Sequence, residues 1–357
     1  MKIVYEKLVV RNFGPICDLD IIIRPLTLFI GTQGSGKSTI AKLLTICREL
    51  RWWYQVSDGR GFQNRLRNFG IIDYLQEDSY IQYTLTDDDT NHPNVVTYEN
   101  GTFHVETDGN RDGDVRRFLY VPAERNLVSN MSEAIASMLV AEIPISKLLL
   151  EYMSQFERAS KEFPVYEVPF FGVNYVKKDN RNMIELRGKE KLLPLNASSS
   201  GLQSAIPMLV IIDYALTTKS FDSFVIEEPE QNLFPENQRE ILNFIASRMS
   251  GEVNRQTILT THSPYMLSCL NVLMLAHKLH GEESVRAEVE KIVPYQSTVN
   301  PNDVAVYSLD PDNEEYCKSL ISEKTGLVSV NELDSVSEVI GDDFDRLYNL
   351  YRQVNKK

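Results

Sequence analysis

One stretch of eight residues constrains this chain more than any other. Gly31-Thr32-Gln33-Gly34-Ser35-Gly36-Lys37-Ser38 fits the pattern G-x-x-x-x-G-K-[ST] at every fixed position. Just before it, residues 26–30 (Leu-Thr-Leu-Phe-Ile) read as a short buried strand. Just after it, Ile40, Leu43, Leu44 and Cys47 recur at the spacing of one helix face. A glycine turn between a strand and a helix can aim backbone N–H groups at phosphate oxygens, with the positive end of the helix dipole behind them. The spacing predicts a nucleoside-triphosphate site. Gly31, Gln33, Gly34, Ser35, Gly36 and Thr39 would form its cradle, Lys37 would reach the β- and γ-phosphates, and Ser38 would take a Mg²⁺ position.

A chain of 357 residues can hold one large or two ordinary domains, and 43% hydrophobic with 24% charged residues is ordinary for a globular protein. No apolar run approaches the ~18–20 residues that span a membrane. The nearest, residues 207–216, is interrupted by Asp213. The N-terminus opens on a strand-like segment, so neither a signal peptide nor a membrane is expected. Cys17, Cys47, Cys269 and Cys317 are scattered without metal or disulfide spacing, which points to a cytoplasmic protein. Net charge is −13. A dedicated duplex binder usually carries a basic footprint, so DNA contact would need a local patch, an oligomer or a partner.

Along the chain, residues 3–10 and 19–23 read as strands around the Gly14-Pro15 turn, with Arg11-Asn12-Phe13 at the first strand's end. Arg48, Arg51, Arg60, Arg65 and Arg67 crowd beside Trp52, Trp53 and Tyr54. Two readings fit: a nucleic-acid contact through guanidiniums and stacking rings, or a solvated helix face with buried tryptophans. Residues 79–107 alternate polar and apolar and predict an antiparallel meander. Residues 118–122 form a buried strand with Glu124 and Arg125 at its end, either site residues or a structural ion pair. Helical patterns cover 127–139 and 145–163, without sustained heptads, and a pair of strands follows in 166–195.

Ser198-Ser199-Ser200-Gly201-Leu202-Gln203 opens an apolar helix running to Leu216. A plain N-cap accounts for one of those serines; the whole run could hold an anion. The apolar strand at 224–226 ends in Glu227 and Glu228, and adjacent buried carboxylates are costly unless a cation or a task holds them. A further strand at 256–260 ends at His262, which could hydrogen-bond a γ-phosphate or serve a structural role.

In this order the four pieces resemble an ABC-type ATPase head of the RecF/SMC/OLD kind, closest to OLD-type and phage-defence ATPases. The resemblance covers about residues 1–275. It implies an α/β, P-loop fold with a mixed central sheet, an antiparallel β-meander and a helical lobe inserted at roughly 127–220. Residues 276–357 would be a C-terminal extension. Its apolar positions Leu333, Val336, Val339, Ile340, Phe344, Leu347 and Leu350 suggest terminal amphipathic helices.

By this resemblance residues 31–38 are the Walker A loop, residues 224–228 the Walker B strand, and Ser200, Gly201 and Gln203 belong to the signature that binds a partner's nucleotide. Glu228 would be the catalytic carboxylate, His262 the switch histidine, Lys37 a charge stabiliser, and Ser38 and Glu227 the Mg²⁺ ligands. Departures are Glu227 where most such heads carry Asp, a signature without its second glycine, Gln231-Asn232 and Phe234 in the OLD-type run, and no glutamine at the Q-loop. The implied protein is an ATP- and Mg²⁺-dependent switch subunit that dimerises head to tail. It would serve a DNA-repair or anti-phage complex whose effector, a nuclease for example, is a separate protein. The alternatives are a DNA-clamping structural ATPase and a self-sufficient OLD-like nuclease. Asp310-Pro311-Asp312, which resembles part of a nuclease metal site, reads here as a turn.

Overall fold

The computed structural model describes residues 3–50, 60–87, 93–106, 118–131, 135–189, 191–221, 223–249, 255–329 and 347. In chain order the strands are β1 (Ile3–Phe13), β2 (Ile16–Ile22), β3 (Leu26–Gly31), β4 (Leu75–Asp87), β5 (Asn94–Glu99), β6 (Thr102–Glu106), β7 (Phe118–Val121) and β8 (Val165–Val168). They continue with β9 (Val173–Lys178), β10 (Arg181–Leu186), β11 (Leu192–Pro194), β12 (Ser223–Glu227), β13 (Gln256–Thr261), β14 (Val304–Leu309) and β15 (Cys317–Ser319). The helices are α1 (Lys37–Leu50), α2 (Arg60–Asn68), α3 (Val128–Met131), α4 (Ile135–Val140), α5 (Lys147–Glu162), α6 (Ser200–Thr218), α7 (Pro235–Met249), α8 (Pro264–His280) and α9 (Arg286–Ile292).

The central sheet has the order β15-β14-β3-β13-β12-β7, parallel except for β15. Alternation along β3 sends Leu26, Leu28 and Ile30 into one core and Phe29 into another. The first core is roofed by α5, α6, α7 and α8; the second by α1 and the five-stranded antiparallel sheet β2-β1-β4-β5-β6. The expected meander is therefore present, and it is extended by pairing of β4 with β1. In the region where the sequence suggests a pair of strands, β8 and β11 add to the β9–β10 hairpin, giving four. Its tight turn uses Asp179 and Asn180, both at positive φ (48° and 63°), a conformation these short polar side chains tolerate.

Two findings change the sequence-based outline. At 19 residues, α6 is by length and composition apolar enough to cross a membrane; residues 205–212 are instead buried in the core. And the central sheet does not end near residue 275. β14 pairs in parallel with β3 through six partners, Val304 with Leu26 up to Leu309 with Gly31, so a boundary at 275 cuts one hydrogen-bonded sheet. The amphipathic positions beyond Ser329 lie outside the described residues, apart from Leu347.

Candidate active site

The phosphate loop joins β3 to α1 at the carboxyl end of the parallel sheet, where the crevices of such sheets lie. Gly34 and Gly36 stand at φ +77° and +94°, which a residue with a Cβ adopts only under strain. Gly31 and Gly36 are also held tightly. A Cβ would lie 2.4 Å from the Leu309 carbonyl at Gly31, and 2.5 Å from the Tyr316 hydroxyl at Gly36. Tyr316 donates to the Ser35 carbonyl (2.6 Å), which sequence reasoning missed because the partners lie 281 residues apart. Residues 310–315, including Asp310-Pro311-Asp312, form the expected turn between β14 and Tyr316, with the Asp310 carboxylate accepting from the Asp312 N–H (3.1 Å).

Lys37 is buried, and its ammonium donates to the loop's own carbonyls at Gly31 (2.9 Å) and Thr32 (2.7 Å), with Ser35 Oγ at 3.3 Å. Burial pulls its pKa down to about 8, against the raising influence of the Glu228, Glu230 and Glu227 carboxylates. Lys37 Nζ also lies 3.4 Å from His262 Nδ1, and His262 Nε2 lies 3.4 Å from Glu228 Oε1. An ammonium has only protons to give, so this arrangement selects the tautomer with Nδ1 accepting and Nε2–H pointing at the carboxylate. The three residues expected to act on the γ-phosphate thus form one chain, Lys37–His262–Glu228.

Ser38 donates to Glu227 Oε2 at 2.5 Å, and Tyr120 donates to Glu227 Oε1. Glu227 is buried, which raises its pKa against the lowering effect of those two hydroxyls. Tyr120 was not visible as a site residue in the sequence; it reads there as one apolar strand position among four. Arg125 was named, and it is fully buried. Among the described residues it forms no ion pair: its guanidinium donates to the carbonyls of Glu227 (2.6 Å), Glu228 and Pro122 (3.2 Å). Burial lowers its pKa. Glu124 is exposed.

Glu228 has φ +44°, the left-handed region that a non-glycine residue enters at a cost on the order of 1–3 kcal/mol. It is held there by its N–H bond to the Thr260 carbonyl (2.9 Å) and by Arg125 on its own carbonyl. Behind it sits Glu230, also unforeseen. One of its oxygens accepts from Thr261 Oγ1 and from the His262 N–H (3.1 Å), while Oε2 is buried without a partner.

Ser200, Gly201 and Gln203 stand apart from this cluster and make no hydrogen bond to it among the described residues. Ser199 caps α6 by accepting from the Leu202 N–H, and Ser199 and Ser200 are exposed. A Cβ on Gly201 would meet the Asn232 carbonyl at 2.7 Å, so glycine is needed where α6 packs on the turn after Glu230. Gln203 is spent within its own lobe, accepting from Ser129 Oγ (2.8 Å) and donating to the Ser198 carbonyl (2.8 Å). Gln33 is exposed at the loop's outer side; Thr39 is buried in the first turn of α1.

Of the crowded arginines, Arg48 is not on the surface. Arg48 is buried, paired with the fully buried Glu6 and lying 4.4 Å over the Phe118 ring. Arg65 is paired with Glu49 (2.8 Å), and Arg67 donates to Asn64 (2.7 Å). Arg51, Trp52, Trp53 and Tyr54 lie outside the described residues.

The residues present fit a triphosphate with Mg²⁺. The space around the missing Cβ of Gly34 is open, the Lys37 ammonium lies on the loop itself beside His262, and the Ser38–Glu227 pair sets two oxygen ligands side by side with a carboxylate that burial alone would neutralise.

Comparison with known proteins agrees with this geometry. Residues 117–267 match the family model described as an AAA ATPase domain, a span that holds Arg125, the signature, both strand-end glutamates and His262. An OLD nuclease of Thermus scotoductus is 23% identical over 322 residues, covering 72% of this chain. Over these spans the chain is similar to ABC-type ATPase heads of the RecF/SMC/OLD-like group. The aligned region of the head spans 59% of that nuclease's length. Solved SMC head domains are also found among the proteins similar to this chain. That from Thermotoga maritima is 14% identical (75% of this chain, 92% of that one, TM-score 0.42). That from Pyrococcus furiosus, bound to the C-terminal domain of ScpA, is 13% identical (94% and 99%, TM-score 0.47).

Proposed function

We propose that this chain binds and hydrolyses ATP as a switch subunit, closing head to tail with a second copy so that each signature completes the other's site. The Lys37–His262–Glu228 chain beside the Ser38–Glu227 pair is the observation that carries the reading. Loop N–H groups and Lys37 hold the phosphates. Ser38 and Glu227 would hold a Mg²⁺ ion, which would supply positive charge to the phosphates. Glu228 accepts a hydrogen bond from the attacking water and orients it, and Lys37 and His262 offset the charge that builds on the γ-phosphate oxygens. The left-handed backbone at Glu228 supports a task there, since strain of that kind persists where surrounding structure over-determines it. Exposure of Ser199 and Ser200 at the start of a 19-residue helix supports the shared site, because an open helix N-terminus favours a phosphate.

The useful output is a dimer geometry gated by ATP, within a DNA-repair or anti-phage complex whose effector chemistry resides in a separate protein. That setting is motivated by the OLD nuclease relative. Isolation of the native complex and identification of its subunits tests it; recovery of the chain alone, with nuclease activity of its own, would refute it.

The mechanism has a sharper test. Glu228→Gln removes the carboxylate but keeps its shape, so hydrolysis should be lost while the ATP-bound dimer lives longer. Adding Ser200→Arg should return that dimer to monomer. Light scattering with ATP and Mg²⁺ decides it. No ATP-dependent association in the single variant, or association retained in the double, rejects the shared site.

A further inference from the structure

A cavity of about 550 Å³ lies at the opposite end of the central sheet from the phosphate loop. Arg24, His277, Lys278, Asn300 and Asn302 line it, with Val304 and Ile321 among its apolar walls. Leu26 and Val304 pair at its side of the sheet, while Gly31 and Leu309 pair beside the phosphate loop. At ~3.3 Å per strand residue the two ends of β3 are about 17 Å apart, so this cavity is separate from the ATP site.

Its lining is unusual for this chain. The protein has 50 Asp and Glu against 37 Lys and Arg, yet no carboxylate is among the lining residues. Arg24 is fixed at its backbone, where its N–H donates to Thr27 Oγ1 (2.9 Å) and its carbonyl accepts from the same hydroxyl (3.0 Å). Its guanidinium has no ion-pair or hydrogen-bond partner among the described residues. Among the described residues Lys278 Nζ hydrogen-bonds to the carbonyl of Thr325 alone. His277 engages Thr298 Oγ1 through Nδ1 (3.1 Å) and stacks on Tyr295, which sets its ring and leaves Nε2 without a protein partner among the described residues. Asn300 is anchored by accepting from the Asn302 N–H (3.1 Å). Two permanent cations, an imidazole and two amides thus converge on one concave space with most of their donors unspent. A planar guanidinium beside an ammonium suits a phosphate, which offers several acceptor oxygens to both. The volume lies within the range of small-molecule pockets.

We propose that this pocket binds a small phosphate-bearing anion, independently of the ATP site. The test is calorimetric titration of inorganic pyrophosphate into the full chain carrying Lys37→Ala, which silences the phosphate loop. One site per chain is expected to remain, and Arg24→Glu with Lys278→Glu should weaken it at least about tenfold, each substitution replacing a favourable charge by a repulsive one. Arg24→Gln alone guards against misfolding, since Arg24 is exposed and its guanidinium carries no hydrogen bond or ion pair among the described residues; it should weaken binding about fivefold. Absence of binding in the Lys37→Ala chain overturns the proposal, as does affinity unmoved by Arg24→Gln. Binding of a 5′-phosphorylated oligonucleotide in a chain that ignores pyrophosphate also overturns it, in favour of nucleic acid.

Discussion

Arg125→Met separates what the ATP site needs from what the fold merely tolerates. The guanidinium is fully buried and bridges two consecutive carbonyls, those of Glu227 and Glu228, while also reaching Pro122. Methionine fills much of the volume and leaves those carbonyls without their donor. A buried polar group stripped of its partner costs ~1–3 kcal/mol, so two give roughly 2–6 kcal/mol. Against this stands the relief from burying a cation whose Nε has no partner. Its lowered pKa has the same origin. The expected net loss is about 2–3 kcal/mol, read as a lower midpoint in urea denaturation with the slope unchanged. Catalysis should suffer differently from binding. Lys37 and Ser38 do not touch Arg125, so the KM for ATP should change little. Without its carbonyl clamp, Glu228 can leave the left-handed conformation at φ +44° and with it His262, so kcat should fall more than about tenfold. Arg125→Lys should recover part of the stability and little of kcat, because an ammonium cannot reproduce a planar fork across two carbonyls. Stability within 1 kcal/mol of wild type, by the ~1–3 kcal/mol expected per carbonyl, together with an unchanged kcat, would refute the clamp.

Two further outcomes follow from buried charges. Lys37 has a pKa near 8 in the free protein, and phosphate oxygens would raise it on binding. Below pH 8 the ammonium is already charged; above it, binding must take up a proton, so affinity for ATP should fall towards tenfold per pH unit. Isothermal titration between pH 7 and 9.5 checks this, and a flat profile rejects it. In the second core, Arg48→Met should destabilise by ~3–5 kcal/mol because Glu6, fully buried, is left charged with only Tyr83 and Gln256 beside it. Glu6→Gln in the same chain should restore most of that in chemical denaturation.

The phosphate loop, the two glutamates at the end of β12 and the histidine after β13 were legible because each is a local pattern. A short continuous apolar run followed by a glycine turn or by carboxylates states its own place at the carboxyl end of a strand. Lys37, Ser38, Glu227, Glu228 and His262 could therefore be picked out as candidates, and the fold brings them together, while the meander could be read from its alternation. What local patterns do not encode is which edge of a strand receives which partner. β3 offers two edges, and β14 takes the one opposite β13 from 273 residues further on, since Val304 pairs with Leu26 as Thr257 does on the other side. That choice places Tyr316 on Ser35 and the Leu309 carbonyl against Gly31, so the loop's shape depends on chain that reads as an extension. Arg48 shows the same limit: among neighbouring arginines it looks like surface, and only packing of α1 on β1 and β13 makes it the buried counter-ion of Glu6. The sequence by itself determined which residues stand at the carboxyl ends of β3, β12 and β13 as candidates for a triphosphate site. Tertiary pairing decided how they are held, because the energy of a buried charge or carbonyl depends on what the rest of the fold brings within 3 Å of it.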